Sequence, residues 1–530
     1  MFTKLFLQGC LLAAATIAAD AQTYVAGQTY WGRNNYIEYL AGDLPFIISA
    51  PHGGTSNPTE LPDRTYGTFS TDTNTDLLAR DVGPAMFSRF GHHPHVIICR
   101  LDRQKIDCNR EIVEGAQGHA LAEISWNEFQ NFIFAAKQTV QKQFGRGFYI
   151  DLHGHGHAIQ QLELGYLLTA GQLGLSDTTL NGSATYANQS SVRELKVRSP
   201  SLFAALLRGP TSLGGRLAAA GYPCVPSPPV PDPGRDPYFN GGYNTAQHGS
   251  ESGGTISAAQ IESNYTGVRD TSANRVQFAN TLAEALQSFF NDHLALNLSD
   301  ALPTVTVISN RTVPVNGSTS TISFTVGDAV TPASAVVLSG ASSNLVLVPV
   351  SGIVFGGSGA SRTVKVFPAA NQIGSAVVTV TVTDANGGMA HEDFSVTVTA
   401  TPSQTWRLAH FGVASATGNA ADLADPDLDG LKNLLEFALL GDPTEASSAA
   451  LPVAARVGGV LTLTYSRNKA AVADGVLFAV ETVAVLGDGW TTAGVSEAIL
   501  SDDGTVQQVQ ATIASGGAAA RFARLKVTRP

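Results

Sequence analysis

Hydrophobic and polar positions follow three different patterns along this chain, with changes near residues 300 and 400. Before residue 300, apolar runs at 44–50, 95–99 and 148–152 alternate with stretches of helical period at 76–90, 120–144 and 273–293. Strands that are apolar throughout need cover on both faces. The pattern therefore predicts an α/β domain over 22–300, a mostly parallel mixed sheet with helices on both faces. Between 301 and 400 the period becomes two, as at 304–307 and 377–382, with Gly, Asn and Pro turns between the runs. That pattern predicts an all-β sandwich. Residues 401–445 hold a short helical stretch at 406–412, an acidic loop and a second helical run at 431–440. Strand-like alternation returns over 446–530, mainly at 461–527.

Lys4 precedes an apolar run to Ala19, and Ala19-Asp20-Ala21 offers the small residues a signal peptidase reads. Residues 1–21 are expected to be a signal peptide cleaved before Gln22, making the protein secreted, whether to the periplasm, the cell surface or the medium. No later stretch approaches the ~20 apolar residues of a membrane span. At ~150 residues per domain, 530 residues suggest several domains. Charged residues are 14% and hydrophobic ones 44%, which excludes a disordered chain. A net charge of −11 leaves no overall basic field for nucleic acid. Three cysteines would remain after cleavage, Cys99, Cys108 and Cys224, so one disulfide at most is expected.

Ten of the twelve histidines precede residue 300, and that concentrates the candidate chemistry there. Open α/β sheets place their ligand crevice at the exits of strands. His52, in Pro51-His52-Gly53-Gly54, directly follows the first apolar run. Asp151, His153, His155 and His157 alternate from the end of the third, so an extended chain puts them on one face. Imidazoles with a neighbouring carboxylate suit zinc. The segment 100–110, with Arg103, Asn109 and Arg110, is dense in donors that can grip a carboxylate. Gln260 and Glu262 share the polar side of a further short strand, where Glu262 can exchange a proton with a substrate.

Together these segments resemble the N-formylglutamate amidohydrolases, which are similar in turn to zinc carboxypeptidases. The residues that carry the resemblance are PHGG at 51–54, TDTNTDLLARD at 71–81, KIDCNREI at 105–112, DLHGHGH at 151–157, FNGGY at 239–243 and QIE at 260–262. The resemblance covers nearly all of 40–290 and implies a zinc-carboxypeptidase-like fold. It makes His52, His153 and Asp72 zinc ligands, with Asp76 the alternative third ligand; position 55, where carboxypeptidases carry a glutamate ligand, is Thr55 here. It implies that Asn109 and Arg110 hold a substrate carboxylate, that Tyr243 lines the pocket and that Glu262 is the general base and then acid. Arg103 is expected to stabilise the oxyanion, while His155 and His157 belong to the pocket wall or stand behind the ligands. The expected activity is metal-dependent hydrolysis of an amide in an N-acyl amino acid, a peptide or a cell-wall fragment with a free carboxylate.

The residues after 300 add no catalytic expectation. The stretch 301–400 resembles the immunoglobulin-like modules of bacterial surface proteins. Asp425, Asp427, Asp429, Leu431, Asn433 and Glu436 occupy positions one, three, five, seven, nine and twelve of a calcium loop, with Gly430 at the turn. That loop resembles those of dockerin-like and thrombospondin-type repeats, so calcium is a second expected cofactor. Contact with a cell surface or polysaccharide is expected of the C-terminal domains. A different reading of the whole chain is a non-catalytic adhesive or surface-display protein whose α/β domain only binds. A serine hydrolase is disfavoured because no G-x-S-x-G elbow is present.

Overall fold

The computed structural model describes residues 23–251, 253–446, 451–457, 460–514 and 521–530. The expected signal peptide and its cleavage point lie outside the described residues. The chain divides into two compact units, the first built on residues up to Pro303 and the second holding most of the remainder.

The first unit is α/β. Its sheet has eight strands: β1 (Thr29–Trp31), β2 (Ile37–Leu40), β3 (Phe46–Ala50), β4 (His95–Cys99), β5 (Gly147–Gly154), β6 (Leu162–Gly165), β7 (Cys224–Val225) and β8 (Ile256–Ser263). They lie in the order β1-β2-β4-β3-β5-β8-β6-β7. The centre, β4-β3-β5-β8, is parallel. The flanks bring in antiparallel pairs, β1 with β2, β2 with β4 and β6 with β8. The sheet is thus more mixed than the apolar runs suggest, because the flanking strands are too short to register as runs. Residues 155–161 between β5 and β6 are also too few for a crossover helix, so the chain returns in the opposite direction.

Alternation along the strands sorts the two faces. Phe46, Ile48, Phe148, Ile150 and Ile261 join a core with the helices Thr75–Phe90 and Ser272–Leu294. Ile47, Tyr149, Ile256 and Ala258 join a second core with the helix Ala120–Phe144. The long helices begin and end within one residue of their predicted bounds. Two of them stop at glycines in the left-handed region, Gly91 (φ +75) and Gly145 (φ +66), where a side chain would be strained. Ser49, Asp151, His153, Gln260 and Glu262 follow the parity of the second face, and register sets Asp151 beside Ser49 and Gln260 and His153 beside Glu262.

In the second unit, two four-stranded sheets enclose one core. One sheet holds Arg311–Pro314, Met389–Thr399, Gly374–Thr383 and Val337–Ser342; the other holds Ile353–Ser358, Ser361–Val366, Ile322–Gly327 and Thr304–Val305. Their inward residues, among them Phe324, Val364, Val378, Val380 and Phe394, pack together, as the alternating pattern requires. Further along, the helix Pro402–Phe411 carries a Thr401–Gln404 capping box. The helix Asn433–Leu439 follows the acidic loop and packs Phe437 and Leu439 with Tyr465 and Val509 of the four-stranded C-terminal sheet. Among the described residues no helix is long and apolar enough to cross a membrane.

Candidate metal centre

β3 delivers the first imidazole. Its chain leaves the sheet at Ala50, and His52 follows, 1% exposed. The backbone N–H of Asp72 donates to the His52 carbonyl at 3.0 Å, which brings the loop before the Thr75–Phe90 helix to the same place. β5 delivers His153 two residues after Asp151.

These three segments converge. His52 Nδ1 lies 3.1 Å from His153 Nδ1, and Asp72 Oδ2 lies 3.1 Å from His153 Nδ1 and 3.5 Å from His52 Nδ1. The other ring nitrogens face buried carboxylates: His52 Nε2 is 2.6 Å from Asp107 Oδ1, and His153 Nε2 is 2.7 Å from Asp151 Oδ2. A proton held on each Nε2 by these carboxylates would leave each Nδ1 a lone pair to offer a cation. Two such lone pairs and a carboxylate oxygen crowded together repel unless a proton or a metal cation sits among them. Ligand atoms on a tetrahedral zinc stand about 3.3 Å apart, given bond lengths of about 2.0–2.2 Å. The donor set fits that ion in chemistry and in spacing.

The surroundings carry the same charge imbalance. Asp72, Asp107, Asp151, Glu163 and Glu262 are buried carboxylates, opposed by the buried guanidiniums of Arg64, Arg103 and Arg269. Burial lowers the affinity of the His153 imidazole for a proton, but Asp151 and then Asp72 more than reverse this and hold it well above the usual histidine range. Burial works against ionised Asp107 too, yet His52, Arg103 and Arg64 keep it well below the usual carboxylate range. Glu262 is pushed up to about 8, chiefly by burial, with His153 opposing and Asp72, Glu163 and Asp151 reinforcing. Gln260 Nε2 donates to Glu262 Oε1 at 2.8 Å and fixes that carboxyl on the His153 side of the sheet.

The remaining predicted residues divide by position. Arg103 Nε donates to Asp107 Oδ2 at 3.0 Å, and its Nη1 stands 3.8 Å from Asp72 Oδ1, so it spans the carboxylate of the candidate centre and the one behind His52. Asn109 touches His153 Nε2 through Nδ2 at 3.2 Å, and its Oδ1 accepts from the Asn244 N–H. That commits its amide inside the protein, away from the carboxylate grip expected of it. Arg110 points instead toward Glu114 at 3.4 Å and is more than one-third exposed. Trp126 links it to Tyr243: the indole N–H donates to the Arg110 carbonyl, and the rings of Trp126 and Tyr243 lie 5.9 Å apart. Asp76 pairs with Arg80 at 3.0 Å on the helix, so Asp72 rather than Asp76 is the third member. His155 and His157 stand apart with Glu163. His157 Nδ1 is 2.7 Å from Glu163 Oε1, and its ring stacks on Phe239 at 4.9 Å. The cysteines Cys99, Cys108 and Cys224 are buried and free.

The sequence alone gives neither Asp107 nor Glu163 a role of its own. Asp107 sits inside the quoted KIDCNREI stretch, but only its place behind His52 gives it a role. Glu163 lies in the short strand β6, which carries no periodic signal.

The second cluster is the acidic loop of the second unit. Gly430 (φ +92) makes the turn that a residue with Cβ resists. Asp425 Oδ1, Asp427 Oδ2, Asn433 Oδ1 and Glu436 Oε2 are all buried and accept no hydrogen bond. Asn433 is oriented by donating through Nδ2 to the carbonyls of Asn419 and Ala421, at 2.6 and 2.8 Å. Burial and then Asp427, Asp429 and Asp425 push Glu436 up to about 7. Unpaired oxygens from positions one, three, nine and twelve fit a hard cation.

No protein-family model matches the chain, and neither does any curated protein. Some solved structures align with part of it. The titin M10–obscurin-like 1 Ig complex is 18% identical over 18% of this chain and 93% of its own, with a TM-score of 0.15. Domains 4 and 5 of the S-layer protein SbsC are 20% identical over 18% of this chain and 54% of theirs, with a TM-score of 0.14. The N-terminal Ig1-2 module of a Drosophila receptor protein tyrosine phosphatase, DLAR, is 13% identical over 19% and 50%, with a TM-score of 0.15. Likeness at these TM-scores carries no argument about function.

Proposed function

We propose that this chain is an exported, zinc-dependent hydrolase that cleaves an amide bond in a carboxylate-bearing substrate. The observation that carries the proposal is the meeting of His52 Nδ1, His153 Nδ1 and Asp72 Oδ2 within 3.1–3.5 Å, both imidazoles being backed by carboxylates. We read the first unit as zinc-carboxypeptidase-like and the sandwich as immunoglobulin-like. When bound, zinc supplies a Lewis acid that polarises a carbonyl and acidifies water. Asp107 and Asp151 hold the two rings in the tautomer that leaves Nδ1 unprotonated. A bound cation nearby favours the ionised carboxylate of Glu262, which then takes a proton from the attacking water and returns it to the leaving nitrogen. Arg103 is the proposed partner of the oxyanion. Arg110 turns from Glu114 to the substrate carboxylate; an exposed ion pair is worth at most about 1 kcal/mol, so the exchange is cheap. Export favours an N-acyl amino acid, a peptide or a cell-wall fragment as substrate. In the second unit we propose calcium on Asp425, Asp427, Asp429, the Leu431 carbonyl, Asn433 and Glu436, as a structural ion.

The test is a panel of N-acyl amino acids and short peptides, each as free acid and as amide, given to the zinc-loaded chain and to its Glu262→Gln variant. The proposal expects hydrolysis biased toward free acids, and a variant that keeps its zinc while turnover falls by about 10²–10⁴. A variant as active as the parent removes Glu262 from the chemistry, and no hydrolysis of any member by zinc-loaded protein rejects the enzyme.

A further inference from the structure

Arg269 lies in the turn after β8 and is 4% exposed. Its three guanidinium nitrogens donate to three backbone carbonyls on three separate segments. Nη1 reaches Thr73 at 2.6 Å, Nη2 reaches His155 at 2.9 Å, and Nε reaches Ser263 at 3.1 Å. Thr73 follows Asp72, His155 comes two residues after His153, and Ser263 follows Glu262. One planar group therefore grips the chain beside the proposed acidic ligand, one proposed imidazole ligand and the proposed base.

The need for such a grip differs among the three. β5 and β8 are already paired through their ladder, which sets His153 beside Glu262. The loop carrying Asp72 belongs to no strand, and the sheet ladder does not fix its distance from the two strand ends. Asn74 reinforces the connection by donating through Nδ2 to the Arg269 carbonyl at 2.9 Å. The guanidinium lies against Gly154, the residue after His153, where any Cβ would collide with it, and the centre of the Tyr265 ring is 5.3 Å away. A lysine has no planar fork and cannot serve three carbonyls from these directions.

The geometry points to Arg269 as a positioning residue that fixes Asp72 against His153 and Glu262, so that ligand and base act at one place. This rests on the metal-hydrolase reading above. The hydrophobic cores of the first unit already hold its strands and helices together. Loss of Arg269 should therefore loosen the metal centre before it loosens the fold.

The test uses the full chain with Arg269→Lys and Arg269→Gln. Zinc affinity is measured by competition with a chromophoric chelator, the visible spectrum is recorded with cobalt in place of zinc, and melting of the metal-free protein is followed. The expected result is a 10–100-fold weaker zinc affinity in both variants, the range seen when groups behind metal ligands are removed. A changed cobalt spectrum should accompany it, with little change in metal-free melting. Parental affinity and spectrum, with or without a lower melting temperature, would reduce Arg269 to a structural tie and overturn the inference. Should both variants fail to fold, Gly154→Ala displaces the guanidinium from its other side, and the same loss of affinity is expected of it; parental affinity there also overturns the inference. A parent chain that binds no zinc rejects the metal reading and the inference together, whereas a zinc-binding parent matched by its variants rejects the inference alone.

Discussion

The Nδ1 atoms of His52 and His153 lie 3.1 Å apart although 101 positions separate the two residues. The Nε2 atom of each ring faces a buried carboxylate, Asp107 for one and Asp151 for the other. With their protons on Nε2, the two facing Nδ1 atoms would offer a cation two lone pairs.

The carboxylates behind the imidazoles should matter almost as much as the ligands. Replacing Asp107 or Asp151 by Asn keeps the side-chain shape but removes the charge that orients the ring. Each substitution is expected to weaken zinc binding by about 10–100-fold without abolishing it. Competitive titration against a chelator measures this, and unchanged affinity in both variants would show that the orientation of the rings does not depend on these carboxylates.

The proposed calcium loop is independent of the proposed zinc site. Glu436→Gln removes one carboxylate from a cluster of buried, unpaired oxygens. Calcium at about 100 times its Kd should stabilise the native state by about 2.7 kcal/mol. The parent chain should therefore melt higher with calcium than with a calcium-selective chelator, and Glu436→Gln should lose most of that difference. Equal melting of the parent in both conditions would contradict a bound calcium.

A pH effect follows from two histidines outside the donor triad. Burial pushes His95 down to about 3, and burial with help from Lys137 does the same to His248. Unfolded histidine titrates near 6.5. Between pH 6.5 and 3 the unfolded chain therefore binds more protons than the native one, so stability is complete above 6.5 and is lost as pH falls through that window. Each residue contributes about 1.4 kcal/mol per pH unit there. Denaturant unfolding at pH 7 and 5.5 should show a smaller loss in His95→Gln than in the parent; an equal loss would mean that His95 is protonated in the folded protein.

The elements that could be read from sequence were those with a long or uniform signal. The helix Ala120–Phe144 repeats its apolar residues over seven turns and ends at Gly145, so both bounds were legible. β6 and β7, four and two residues long, were not, and with them went the reversal that makes the sheet mixed. In the site, His52, His153 and Glu262 stood out because each follows or lies within an apolar strand. Arg269 could not be seen in the same way: its three carbonyl partners are backbone atoms up to 196 positions away, and no residue type announces them. Arg110 had the right chemistry for a carboxylate, but only the structure showed its guanidinium turned to Glu114.

The most direct measurement is the zinc content of the purified full chain by elemental analysis after dialysis, beside His52→Ala and His153→Ala. The account predicts about one tightly held zinc per parent chain and essentially none in either variant, with far-UV circular dichroism unchanged. A parent that holds no zinc, or variants that hold as much as the parent, would contradict it.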